Sequence, residues 1–273
     1  MATQKRTTTA TGRFYHVDGH DLPSVTTILG AINKPALVKW AENTARAATI
    51  DAAADLYVDL AKIVGPVPMS RPAYVATLEA RLGKAKAAER ELAKAAEIGS
   101  QTHALIEWSL RRSLGQITTR PETTPPAEWA FMAFEDWAKS VNLEPIFIEQ
   151  TVWSLDHGYA GTLDLLARVH GEVTLIDFKT SKGIYAEYDL QSVAYQAAIA
   201  EMGHGLPPGG GLIVRLPKVE TDPGFEVHRC GSVDTLLPTF LAVKQVWEWW
   251  FAAESASKAA WRTKKGLTEA ATA

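Results

Sequence analysis

The sequence predicts an α/β protein, with a helical N-terminal region in front of a sheet-bearing core. Three observations carry this. Residues 72–118 are rich in Ala, Glu and Lys, which are strong helix formers. From residue 144 the pattern changes to short runs rich in β-branched and aromatic residues, at 144–154, 159–169 and 172–180, separated by the turn segments LDHG and HG. Beyond them, helical segments at 188–202 and 233–260 flank two more short strands at 210–218 and 225–230.

Taken in order, the first residues, MATQKRTTTATG, are basic and Thr-rich. They lack the apolar stretch of a secretory signal and read as a disordered tail over 1–12. GRFYHVDGHDL, 12–22, reads as a hairpin turning at Asp18-Gly19. Two helices follow, the first capped by Ser24 and the second carrying Pro35 in its first turn. Residues 51–63 continue helical, 65–72 form a loop, and Gly99 is expected to mark a break or a close approach inside 72–118. A linker at 118–126 leads to a helix at 127–141. The boundaries are a single domain over 13–262, divided into a mainly helical part (13–141), a core (142–230) and a C-terminal helix (231–262), with a tail at 263–273. The tryptophans Trp247, Trp249 and Trp250 on the last helix are read as core.

Composition excludes several classes. Of the 273 residues, 47% are hydrophobic and 22% charged, as in an ordinary soluble protein, and the net charge is −3. No global field therefore draws the chain to nucleic acid; such a site must be local or work through metal ions. The single cysteine, Cys230, excludes an intrachain disulfide and a four-cysteine zinc or iron–sulfur site, and fits a reducing cytoplasm. No run reaches the roughly 18 apolar residues that span a bilayer.

The chemistry concentrates around TLIDFKT, 174–180. Residues two apart on a strand share a face, so Asp177 and Lys179 stand side by side with Phe178 opposite. Folding the second and third strands about His170-Gly171 makes Asp164 and Asp177 cross-strand partners. Facing like charges destabilise a sheet unless a cation lies between them. Mg²⁺ takes hard oxygen ligands of this kind. A neighbouring lysine can hold or deprotonate an attacking water and offset transition-state charge. The pattern is that of metal-assisted phosphodiester hydrolysis.

The ordered set Gly161-x-x-Asp164, Asp177-x-Lys179-Thr180 and Gln191-x-x-x-Tyr195, with Gly99 and His103 upstream, resembles the RecB-type branch of the PD-(D/E)XK nuclease superfamily. LPSVTTIL and KPALVKWA further resemble phage exonucleases and the mitochondrial genome maintenance exonuclease of that branch. The resemblance implies a mixed central sheet flanked by helices. It implies a divalent metal, Mg²⁺ with Mn²⁺ as a replacement, bound by His103, Asp164, Asp177 and the Phe178 carbonyl, with Lys179 as the catalytic lysine. Gln191 and Tyr195 would position the lysine or DNA, and Thr180 and Ser181 are further DNA-binding or positioning candidates. Ser24 and Thr26 are candidate phosphate contacts, Glu107 a partner holding His103, and Glu149 an acid near the metal. The cysteines of iron–sulfur members are absent, so no such cluster is expected. The resulting expectation is a DNA exonuclease acting on single strands or free ends, cytoplasmic (in the host if phage-encoded), and working with replication or recombination proteins. The alternatives are a structure-specific endonuclease and a non-catalytic DNA-binding recombination partner.

Overall fold

The computed structural model describes residues 4–9, 11–32, 34–62, 69–83, 86–116, 119–219, 221–222 and 224–264. Its contacts divide the chain into two compact units, Met1–Ile32 with Gln101–Ala273, and Asn33–Ser100, where the sequence reads as one domain.

The first unit opens with a small antiparallel sheet of β1 (Gln4–Thr9), β2 (Gly12–Val17) and β3 (His20–Pro23). The hairpin turns at Asp18 and Gly19, whose φ values of 47° and 84° suit a two-residue connection. Residues 4–9 pair with β2 where a disordered tail is expected; their run of β-branched threonines favours a strand. α1 (Val25–Leu29) follows, with Ser24 accepting from the Thr27 N–H at 3.0 Å as its cap.

The main sheet contains β4 (Glu144–Ser154), β5 (Tyr159–Val169), β6 (Glu172–Lys179), β7 (Gly211–Arg215) and β8 (Glu226–Arg229), in that spatial order. All pairs are antiparallel except β6 with β7, so the sheet is mixed. The parallel step is bridged by α6 (Glu187–Ile199), which runs into a π-helical turn at Ala200–His204. One apolar cluster joins the sheet to α5 (Pro125–Ser140) and the later part of α4 (Ala87–Ser113), through Trp137, Phe134, Leu105, Ile176 and Phe178. A second joins it to α1, α6 and α7 (Val233–Lys264), through Ile28, Leu163, Leu175, Ala194 and Phe240. The sheet is thus flanked by helices, the α/β arrangement expected. On α7, Trp247 packs against Phe14 and Phe251, but Trp249 and Trp250 are exposed rather than core.

The second unit holds α2 (Pro35–Ala61), α3 (Arg71–Leu82) and the start of α4. α4 continues through Gly99; the break falls at Gly83, where φ is 72° and glycine carries no steric penalty. The loop and linker expected near 65–68 and at 118, and the tail from 265 on, lie outside the described residues. Among the described residues, no helix is long and apolar enough to cross a membrane.

Candidate active site

Strand pairing brings the acids together. β5 and β6 are in the expected register, with Leu165 opposite Ile176, but the ladder stops there. At the next position the Asp164 carboxylate replaces a backbone acceptor: the Phe178 N–H donates to its Oδ2 at 2.8 Å. Asp177 and Lys179 continue instead along β7, beside Ile213 and Arg215. On the other side of β5, Ile148–Leu165 and Gln150–Leu163 flank the place where Glu149 faces Asp164. Leu163 and Leu165 would share a face in a regular strand, yet they pack in different clusters, so the strand rolls over at Asp164. Glu149 has φ of 49°, a left-handed conformation that costs a non-glycine residue about 1–2 kcal/mol. Three neighbouring strands thus present Glu149, Asp164 and Asp177 in succession.

His103 reaches this row from α4. Its Nδ1 lies 3.5 Å from Asp164 Oδ1 and 3.7 Å from Glu149 Oε1, and its Nε2 is 3.1 Å from the Phe178 carbonyl oxygen. Burial opposes the imidazolium, but the Asp164 and Glu149 carboxylates outweigh it and raise the pKa from 6.5 to about 9. The imidazolium therefore donates to Phe178 and brings positive charge among the acids. Burial raises Asp164, with His103 and Lys179 opposing. Burial also lifts Asp177 from 3.8 to about 6, opposed by Lys179 and reinforced by Asp164.

Lys179 is held from three sides. Its Nζ contacts Asp177 Oδ2 at 2.5 Å, donates to Gln191 Oε1 at 3.2 Å, and sits 5.0 Å from the centre of the Tyr188 ring. Burial disfavours the ammonium, but Asp177 and Asp164 hold its pKa above the ordinary lysine value. Gln191 closes the arrangement by donating through Nε2 to Asp177 Oδ1 at 2.9 Å, with the Tyr195 hydroxyl 3.4 Å away. The Tyr195 ring also explains Gly161: a Cβ there would come within 2.4 Å of Tyr195 Cε1. Gly161 on β5 is therefore coupled to the Gln191–Tyr195 helix face by packing.

Of the residues singled out in the sequence, His103, Asp164, Asp177, Phe178, Lys179, Gln191 and Tyr195 converge here. Gln191 and Tyr195 are buried; Gln191 bonds Lys179 and Asp177, and Tyr195 lies against Gln191. Glu149 turns inward. Glu107 does not hold His103: it accepts from Arg111 Nε at 2.7 Å, one helical turn on, while the imidazole is already partnered by the sheet. Ser24 is buried, its hydroxyl used in capping α1 and bonding Thr27, which takes it out of the phosphate-contact set. Thr26 is exposed on the same short helix, with its hydroxyl 3.0 Å from Ser24 Oγ. Ser181 donates to the Gly183 carbonyl at 2.7 Å, and Thr180 is half-buried beside it. Tyr188 went unnoticed in the sequence. Its signal was spacing: it precedes Gln191 by three residues and so shares the Gln191–Tyr195 face of α6.

The donors suit a hard divalent cation. His103, Glu149 and Asp164 each offer a ligand atom, all within 4.8 Å of one another. Asp177 Oδ2 is buried and its close neighbour is the Lys179 ammonium at 2.5 Å. A buried carboxylate oxygen beside this cluster remains a hard donor of the kind such an ion takes.

Comparison with known proteins adds two findings. A family model described as the PD-(D/E)XK nuclease superfamily matches residues 71–263. Among solved structures, a Eubacterium rectale protein provisionally described as an exonuclease matches with a TM-score of 0.40 and 16% identity, over 78% of this chain and 80% of that one. No curated protein matches.

Proposed function

The chain belongs to the PD-(D/E)XK nuclease superfamily, and from that premise we propose that it is a divalent-metal-dependent DNA exonuclease of the RecB-type branch, acting on single strands or free ends. The observation that carries the reading is the convergence of His103, Asp164, Asp177 and Lys179 at the end of β6, with Gln191 locking the last two together. Residues 142–230 would form the catalytic core, with His103 contributed by α4. The motif resemblance supports the RecB-type assignment and a role in phage or bacterial replication, recombination or repair.

His103, Asp164, Asp177 and the Phe178 carbonyl would hold Mg²⁺ or Mn²⁺; when bound, such an ion polarises a phosphoryl oxygen and makes a coordinated water more acidic. The protein's own groups do the rest. In the metal-free site Asp177 and Asp164 favour the ammonium form of Lys179. As an ammonium it would donate hydrogen bonds and offset charge growing on the phosphate. Gln191 fixes the ammonium relative to Asp177 by bonding both. Tyr188 receives the ammonium on its ring face, which restrains it further. Asp164 fixes the backbone at Phe178 by accepting its N–H.

The test uses end-labelled linear single-stranded DNA and circular single-stranded DNA, each with Mg²⁺, Mn²⁺ or EDTA, and the Lys179→Ala variant. Metal-dependent loss of the linear form alone is expected, with turnover reduced about 10²–10⁴-fold in the variant. Cutting of the circle would make the protein an endonuclease of the same superfamily. DNA binding without cleavage under any metal would leave a non-catalytic binding protein.

A further inference from the structure

This inference rests on the metal-dependent reading above and adds a donor to it. We propose that Glu149 is a further protein ligand of the divalent cation, presented by a kink built into β4. Among the described residues, four non-glycine positions take positive φ: Asp18, Asn142, Glu149 and His170. Three are Asp, Asn and His, the residue types that enter this region most readily, and they lie outside the strands. Glu149 is neither of such a type nor in a turn; it stands inside the 11-residue strand β4. The pairs on either side of it keep one register, so the kink re-aims a side chain without inserting a residue.

The target of that side chain is the metal-donor group. Its Oε1 stands 3.7 Å from His103 Nδ1, and it shares with His103 and Asp164 a cluster of ligand atoms no more than 4.8 Å apart. Glu149 also hydrogen-bonds and pairs with His103, but that ring nitrogen has a second carboxylate beside it. Asp164 already faces Nδ1 at 3.5 Å, and the Phe178 carbonyl takes Nε2. Beside the cluster, Asp177 is buried, its side chain 3% exposed, with Oδ2 against the Lys179 ammonium. Three carboxylates then share a desolvated row with His103 and Lys179 as the nearby cationic groups, a charge balance that a divalent ion would complete once His103 gives up its proton. The kinked backbone aims the carboxylate at the cluster, and a bound ion would offset the repulsion there.

The experiment is calorimetric titration of Mn²⁺ into the full chain without DNA, together with thermal melting of the metal-free protein. Glu149→Gln is expected to weaken Mn²⁺ binding about tenfold or more. Glu149→Gly is expected to weaken it similarly and to melt higher than Glu149→Gln, because glycine takes the same backbone angle without strain. Asp164→Asn serves as the reference. If the wild type binds Mn²⁺, Asp164→Asn loses it and both Glu149 variants bind as the wild type does, Glu149 is not a ligand and only this inference falls. If the wild type does not bind Mn²⁺, or Asp164→Asn binds it unchanged, the metal-dependent reading falls and takes this inference with it.

Discussion

The two compact units are built on different principles. In the sheet unit, Tyr15, Trp137, Tyr159, Phe178 and Phe240 are all fully buried, and each of the two faces of the main sheet carries its own cluster. In the helical unit, Asn33–Ser100, the buried apolar side chains among the described residues are Leu56 and Ala88. Leu37, Val38, Ile50, Tyr57, Val58, Val75 and Leu92 are exposed there. Its helices satisfy their backbone internally and draw on Ala-rich propensity. Their tertiary links include exposed ion pairs such as Asp59–Arg81 at 2.7 Å, a kind worth about 0–1 kcal/mol. Local opening free energy follows buried contacts, so the sheet unit should be the stiffer one. All the converging site residues belong to it. A site that must hold donors to within fractions of an ångström is placed where packing can enforce that.

The largest effect separates the units directly. Trp137→Ala should cost about 3–5 kcal/mol. Tyr57→Ala, at a side chain 72% exposed, should stay within about 0.5 kcal/mol. Urea midpoints measure both, and equal losses would erase the distinction. Next comes Gly161→Ala. The added methyl must displace Tyr195, costing about 1–3 kcal/mol and loosening Gln191, so nuclease activity should drop further than stability alone explains.

A smaller effect should be confined to the sheet unit and appear as a pH dependence. His103 is raised from 6.5 to about 9, so its stabilising contribution is complete below 6.5 and is lost as pH climbs through 9. Asp177 is raised from 3.8 to about 6, so its contribution is present below 3.8 and lost as pH climbs through 6. Both point the same way: the metal-free protein should soften as pH rises. Mn²⁺ affinity should strengthen over the same range, since the ion takes the place of those protons. Melting in EDTA and in Mn²⁺ across that range checks this, and a flat or rising EDTA curve would contradict it. Amide exchange should place the softening in β4–β6 and not in α2 or α3.

Much of the core was legible in the sequence because strands and turns announce themselves locally. The hairpin about His170-Gly171 set the register that brings Asp164 to Asp177. The Gln191–Tyr195 spacing identified a helix face, although not which way it looked; burial turns it toward Lys179 and Asp177. What stayed hidden was conformation not encoded by residue type. Nothing about a glutamate signals positive φ, so Glu149 could not be distinguished from an outward-facing strand residue. Glu107 shared a helical face with His103, yet Arg111 was an equally spaced competitor and took it. Ser24 read both as a cap and as a phosphate contact, and one hydroxyl buried in a cap cannot serve as the other.

Phe178 has no reactive side chain, yet it is the datum from which the site is measured. Its ring meets Phe134 and Trp137 edge-on at 5.3 and 5.7 Å, its N–H is tied to Asp164, and its carbonyl faces His103. Asp177 and Lys179 flank it in the chain, so their spacing from Asp164 and His103 is indexed to how that ring seats against α5. Alignment error at the reacting centre is therefore inherited from the hydrophobic interior, on the far side of the strand from the chemistry. Substitutions in the aromatic box of α5 would act as calibration errors, shifting catalysis while leaving every polar residue in place.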